Sequence, residues 1–420
     1  MSSRPLVRSL VGTVVTAAVL AAPSLAPVAS ADATDAPVWG PTRTLAANPR
    51  GESVAAGADG AVTVVWATSD TPGRVLALRR PAGAGWTRPM LIGRGSDPVA
   101  AVDDRGRVTV VWATGSGRDV VAARRSVQGV WSAPVRLAAR AYVVADPVLA
   151  VDGRGDVVVA WSSRDRANER WRVRAAYRPA GGRWGAAAAV SAADGTRQPQ
   201  VGIAGDGTAV VLVSRQRFGH PQVLRSVEWA PDGTWSEPSL VTREGYQPTL
   251  AVDAAGNAVV TFSPDFERLV AVERPAGGDW QAPQALSPPG VDLSDHALAM
   301  STAGEVVVAL GRVNGRVDVV RRPAGGTWSA PERVVARGTT VYDVVVAVDA
   351  AGDTFLGWGG YALLGAYRSA GGAWSAPVTL SPDAGADVLE RTHAVLGPGG
   401  DVTVLWKQEA LPLKVRVGSP

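Results

Sequence analysis

One compound phrase recurs along the chain, and it limits the possible folds more than any other feature. It reads P-x-x-A-V-D-x-x-G-x-V-x-V-V-W, then a gap, then R-P-A-G-G-x-W-S-A-P-x-x-L. The tryptophan of the second half falls at Trp39, Trp86, Trp131, Trp184, Trp235, Trp280, Trp328 and Trp374, spaced 45 to 53 residues apart. Proline follows three residues later at Pro89, Pro134, Pro238, Pro283, Pro331 and Pro377. A period of about 40 to 50 residues is that of propeller blades rather than of helical solenoid units.

The local patterns are those of strands. Short β-branched runs such as Val62 to Trp66 and Val108 to Trp112 follow a turn glycine. Such runs suit strands covered on both faces. They end six residues after the glycine at Trp66, Trp112, Trp161, Val213, Phe262, Leu310, Trp358 and Trp406. One hairpin closes at Asp253 to Gly256 or Asp206-Gly207, another at Pro275 to Gly278 or Pro323 to Gly326. Proline presets φ in these turns and glycine supplies positive φ. Each unit therefore reads as four strands. A column of small residues runs through the first strand: Ala56, Ala101, Ala150, Gly202, Ala251, Ala299 and Ala347, broken only by Leu396. Small side chains are expected where inner strands crowd an axis.

The last unit stops after its third strand near Val417, and its missing fourth strand is Trp39 to Leu45. The expected fold is all-β: an eight-bladed β-propeller of four-stranded antiparallel blades, its ring closed by the N-terminal strand. Closure removes free sheet edges. The blades lie near 53–91, 97–137, 146–190, 198–240, 247–286, 295–334, 343–380 and 392–417 plus 39–45, within one domain over 32–420.

Residues 1–31 stand apart. Arg4 and Arg8 precede an apolar run from Leu10 to Leu25, and Ala29-Ser30-Ala31 is a small-x-small cleavage site. This is the pattern of a secretory signal peptide, which implies an extracellular protein whose mature chain spans no membrane. There is no Cys, so disulfides and thiolate metal sites are excluded. The 42 Lys and Arg exceed the 38 Asp and Glu by four, two of which are Arg4 and Arg8. With so small an excess and no basic run, nucleic acid is excluded as a partner.

The repeat, with its strand, turn glycine and closing tryptophan, resembles secreted sialidase-like propellers and bacterial propeller lectins over residues 39 to 417. The sialidase Asp-box, S-x-D-x-G-x-x-W, is not matched: Asp253 to Gly256 and Asp349 to Gly352 carry one residue too many. The Arg-Ile-Pro signature is absent, and Arg274-Pro275 occupies a repeated turn. The resemblance implies carbohydrate binding, with glycoside hydrolysis or a purely structural protein-interaction role as alternatives.

Loop lengths choose a face. The loops joining second to third strands, and one unit to the next, are long and varied, and in a propeller they emerge together. Variable loops on a rigid scaffold carry binding. A polar residue precedes each first strand there: Glu52, Asp97, Asp146, Gln198, Gln247, Asp295, Asp343 and Thr392. Five of these are carboxylic acids, which suits a polar-ligand or cation mouth, or else caps the local turn. Tyr142, Tyr246 and Tyr342 lie in the inter-unit loops. Aromatic rings beside polar groups suit sugars, whose C–H faces pack on rings. The candidate ligand-binding residues are therefore Glu52, Asp97, Asp146, Asp295, Asp343, Tyr142, Tyr246 and Tyr342.

The repeated tryptophans read as structural: those ending second strands fill the wedge between blades, and the others follow tight turns. His296 and His393 occupy equivalent places, which argues for framework. No catalytic residue is assigned, since no H-E-x-x-H, G-x-S-x-G or phosphate loop occurs. No cofactor is assigned either, apart from an axial calcium that a ring of carboxylates would permit. The expectation is a secreted, non-catalytic protein that binds an extracellular glycan, another polar ligand or a protein.

Overall fold

The computed structural model describes residues 36–47, 49–138, 141–164, 170–217, 220–336, 338, 341–381, 389–408 and 412–419. The expected signal peptide lies outside the described residues. Within them every regular element is a β-strand, and neighbouring strands pair antiparallel. Val143–Val151, Val157–Arg164, Trp171–Arg178 and Ala188–Ala189 form one four-stranded sheet in chain order. The same order recurs along the chain. In two places the outer strand of one unit runs on as the inner strand of the next, through Met90–Val102 and Ser239–Val252.

The core lies in the seams between successive sheets. Val148, Val158, Ala160 and Val173 of one sheet pack against Val201, Val211, Val213 and Val227 of the next. Both faces of each sheet are covered in this way, which is why the strands are apolar throughout rather than alternating. The tryptophans that end second strands are wedged here: Trp66, Trp112, Trp161 and Trp406 are at most 1% exposed. Truncating a side chain of this size in a core typically costs about 3–5 kcal/mol.

The tryptophans after the tight turns close the outer end of each seam against the preceding sheet. Trp184 packs on Val111, Val159 and their neighbours, and Trp235 on Val211 and Val227. Trp280 Nε1 donates to Ser226 Oγ at 2.8 Å, and Trp328 Nε1 donates to Glu273 Oε1 at 2.5 Å, each bond crossing one seam. Arg322 lies 5.7 Å over the Trp328 ring and also pairs with Glu273 at 3.3 Å. The repeated Arg and Trp of the sequence phrase are thus one inter-sheet fastening.

The first and last units meet in the same manner. Val395, Leu405, Leu413 and Val415 share a cluster with Val54, Val64 and Trp66. Val38 and Trp39 pair with Ser419 and Gly418, and Arg43 pairs with Val415. Arg416 Nε donates to Gly40 O at 2.8 Å, tying the two ends of the chain.

The column of small residues differs from the expectation by one register step at its ends. Ala101 opposes Thr109 and Ala150 opposes Val158, but the residues in that register in the first and last units are Ala55 and Val395, not Ala56 and Leu396. Inner strands do crowd there: a Cβ on Gly202 would meet Val252 Cγ2 at 2.3 Å.

Polar side chains fasten the inner strands to one another. Ser53 Oγ accepts the Ala100 N–H at 3.3 Å, and Gln200 Oε1 accepts the Leu250 N–H at 2.7 Å. Asp295 Oδ2 accepts the Val344 N–H at 2.9 Å, and Asp343 accepts hydrogen bonds from the Thr392 backbone and hydroxyl. Burial, reinforced by the neighbouring Asp343 carboxylate, pushes Asp295 up to about 8. Burial pushes Asp343 up to about 6 against the pull of Thr392.

Two predictions follow from these fastenings. Replacing Trp328 by Phe keeps the ring but removes the donor to Glu273. It should cost about 1–2 kcal/mol in urea unfolding; an unchanged midpoint would show that the bond contributes nothing. The raised carboxyls hold protons more tightly in the folded chain than in the unfolded one. Their stabilisation is full below the ordinary aspartate value of 3.8 and is lost as pH rises through about 6 and about 8. Asn at 295 still accepts the Val344 N–H but carries no charge. The Asp295→Asn urea midpoint should therefore fall less than the parent's between about pH 5 and about pH 9. Parallel declines in the two proteins would contradict the assignment.

Candidate functional site

The long loops meet on one side because inter-unit loops bond to the loops between second and third strands. The Val291 N–H donates to Glu267 O at 2.7 Å, the Tyr342 N–H to Gly359 O at 2.8 Å and the Tyr142 N–H to Arg164 O at 3.0 Å. The short turns lock together on the other side: Asp156 Oδ1 accepts the Ala180 N–H at 2.7 Å, and Asp353 Oδ1 accepts the Ala370 N–H at 2.8 Å.

On the long-loop side, the seam between the third and fourth units opens into an aromatic and guanidinium cluster. Arg164 ends one strand, Trp171 begins the next, and the two are directly opposed. Alternation along the strands settles their direction. Val158 and Ala160 face the fourth unit, so Ser162 and Arg164 leave on the same side; Val173 and Ala175 do likewise, so Trp171 does too. The Arg164 guanidinium lies 5.1 Å from the Tyr142 ring and 5.7 Å from the Trp171 ring. Arg197, on the first strand of the fourth unit, lies 5.6 Å from the Trp171 ring. Each of these is within reach of the ring quadrupole.

Asp146 forms the floor. It has φ of 52° and directly precedes Pro147. Pro147 has no N–H for the ladder, and a bulge between Ala145 and Val148 takes up both residues. Asp146 Oδ2 accepts the Ser162 hydroxyl at 3.0 Å, and Ser162 Oγ accepts the Gln198 N–H at 3.0 Å. Burial raises the Asp146 pKa, while Ser162 and then Arg197 pull it down. Asp194 accepts the Thr196 hydroxyl at 2.5 Å and pairs with Arg215 at 3.0 Å, bracing the segment that presents Arg197. The cluster offers ring faces for C–H groups, guanidinium donors and one carboxylate acceptor, the complement of a polyhydroxylated ring.

The other expected residues are distributed differently. Asp97, Gln198 and Gln247 share the bulged, positive-φ geometry of Asp146, each before a proline. Asp97 is exposed, and its charge reaches Asp146. Glu52 and Thr392 are one step out of register with Asp295 and Asp343. The latter oppose Gly311 and Gly359, whereas Glu52 and Thr392 oppose Trp66 and Trp406 themselves. A one-residue slip sends a side chain to the other face of a sheet. Glu52 is accordingly buried, 4.0 Å from His393. The bulge position in the first unit is filled by Gly51, at φ of 63°, where a Cβ would meet Asp97 Cα at 2.7 Å.

Asp295 and Asp343 are engaged in the inter-strand bonds described above. Tyr246 packs against Phe266 with ring centroids 4.3 Å apart, and Tyr342 is 41% exposed. The expected acids and tyrosines thus do not form one mouth: Tyr142 and Asp146 come together with Arg164, Trp171 and Arg197, which the repeat analysis passed over. One signal did mark the place. Of 15 Trp, only Trp171 and Trp229 fall outside the two recurring columns.

His296 and His393 are not equivalent: His296 opposes Leu310, while His393 opposes Leu405, one step beyond Trp406. Burial pushes both down to about 4. Among the described residues no three His, Asp or Glu side chains group so as to hold a metal ion, and no helix is long and apolar enough to cross a membrane.

No family profile matches the chain, and no curated protein matches it. Among solved structures it is similar to the BP39L lectin from Burkholderia pseudomallei, at 14% identity and a TM-score of 0.56, over 80% of this chain and 99% of that one. It also matches an intramolecular trans-sialidase from Ruminococcus gnavus (12% identity, TM-score 0.40, 92% and 98% covered) and an Aleuria aurantia lectin (14%, 0.40, 70% and 97%). At these identities the likeness is one of fold, and the fold is that of an all-β propeller of the lectin-like or sialidase-like kind.

Proposed function

We propose that this protein is a secreted, non-catalytic propeller that binds an extracellular glycan in the seam between its third and fourth units. The observation that carries the reading is the Tyr142, Arg164 and Trp171 cluster beside Asp146, half-open on the loop side of an otherwise tightly packed seam. Ring faces and a fork of donors next to a carboxylate suit a sugar better than an apolar ligand. The carboxylates Asp295 and Asp343, the nearest approach to an acid pair, are occupied in holding inner strands together, so hydrolysis has no favoured residues. Secretion rests on the pattern of residues 1–31.

A glycan array probed with the full chain should give defined hits. Trp171→Ala should weaken them at least about tenfold, as loss of a stacking platform would. Hits that Trp171→Ala leaves untouched would move the site elsewhere, and turnover of a chromogenic glycoside would make the protein an enzyme.

The scaffold in this proposal is eight four-stranded blades in a ring closed by the N-terminal strands. Two observations support it. Residues 38–46 pair with Leu413–Ser419, and the inner strand Leu389–Leu396 lies against Arg50–Ala56 as each inner strand lies against the next. Deleting residues 36–46 would bare the edge of Leu413–Ser419 and uncover the seam beneath Trp39. The truncated chain should melt lower and self-associate, as exposed edges do. A monomer with unchanged melting would refute closure.

A further inference from the structure

We infer that the glycan taken by the seam between the third and fourth units is acidic, and that Arg164 receives its carboxylate or sulfate. This rests on the glycan reading given above and adds the charge of the ligand. The argument begins with how arginines are used elsewhere in the chain. Arg79, Arg107, Arg274, Arg321 and Arg368 each have a carboxylate within 3.0 Å or less. Arg164 has none among the described residues. Its neighbours there are two rings, Tyr142 and Trp171, and its buried Nε meets no hydrogen-bond acceptor.

A guanidinium held against ring faces keeps its charge and its rigid fork of donors, and a desolvated fork without an acceptor is poised for an anion. Arg197 adds a second positive charge on the far side of Trp171's reach, at 5.6 Å. It shares the field of Asp146, which tempers it. The two arginines thus have unequal tasks. Arg164 faces the anionic group, while Arg197 and Asp146 together address hydroxyls.

With two guanidiniums and one carboxylate, the cluster is net positive in a chain whose overall excess of charge is small. A neutral sugar would leave the Arg164 fork without an acceptor, an expensive outcome for a buried donor. An acidic sugar fills it and still stacks its ring on Trp171.

The test compares matched pairs of oligosaccharides that differ in charge alone: sialylated and desialylated, uronate and carboxyl-reduced, sulfated and desulfated. Binding to the full chain is measured by titration calorimetry at low and high salt. At least one acidic member should bind about tenfold or more tighter than its neutral partner, the worth of one charge-assisted hydrogen bond. The advantage should shrink as salt rises. Arg164→Gln should bring the ratio of acidic to neutral affinity near one, and Arg164→Lys should restore part of it, with melting temperature confirming that both variants fold. If glycans bind and Trp171→Ala abolishes binding, yet charge makes no difference, the acidic assignment falls while the glycan site stands. If no member of any pair binds, both readings fall.

Discussion

Every unit of this protein depends on its neighbours because its sheet is apolar on both faces. A four-stranded sheet with Val158 and Ala160 on one side and Val159 and Trp161 on the other cannot cover itself. Only stacking against a sheet before it and a sheet after it removes both faces from water. This accounts for the repeated tryptophans. One set is wedged inside the seam; the other closes its outer end and donates across it, as Trp280 does to Ser226. It also accounts for the pairing of the chain's two ends, since Val395 and Leu405 would otherwise lie bare.

The inner strands add a second requirement. Their close approach, seen where Gly202 meets Val252, leaves little room for side chains. The polar groups that remain there are put to work between strands: Ser53, Gln200, Asp295 and Asp343 each accept a neighbour's donor. A residue read from sequence as a ligand group thus becomes a fastening when the adjacent backbone comes within hydrogen-bond distance. The price is carboxyl groups whose ionisation is displaced by burial.

The seam between the third and fourth units differs from its neighbours at the loop end. Its inner part is an ordinary apolar seam, and its floor is the bulge shared by the units in which a proline follows the polar residue. Arg164, Trp171 and Arg197 make it distinct, a local departure from the repeat placed on a scaffold that the repeat itself makes rigid. Binding chemistry grafted onto a packed framework in this way leaves the framework's stability untouched.

The sequence alone determined the strands, the four-strand units, the structural use of both tryptophan columns and the partnership of Trp39 with the last unit. These follow from period, turn chemistry and β-branched runs, which are local in the chain. It could not determine register to the residue. Glu52 and Thr392 look like Asp295 and Asp343 in one dimension, yet bulges and a one-residue slip set them apart. Nor could it assemble the cluster, because Tyr142, Arg164, Trp171 and Arg197 come from four different strands and loops across a seam. Which side chains meet there depends on the parity of each strand and the approach of two sheets, and tertiary packing alone fixes both.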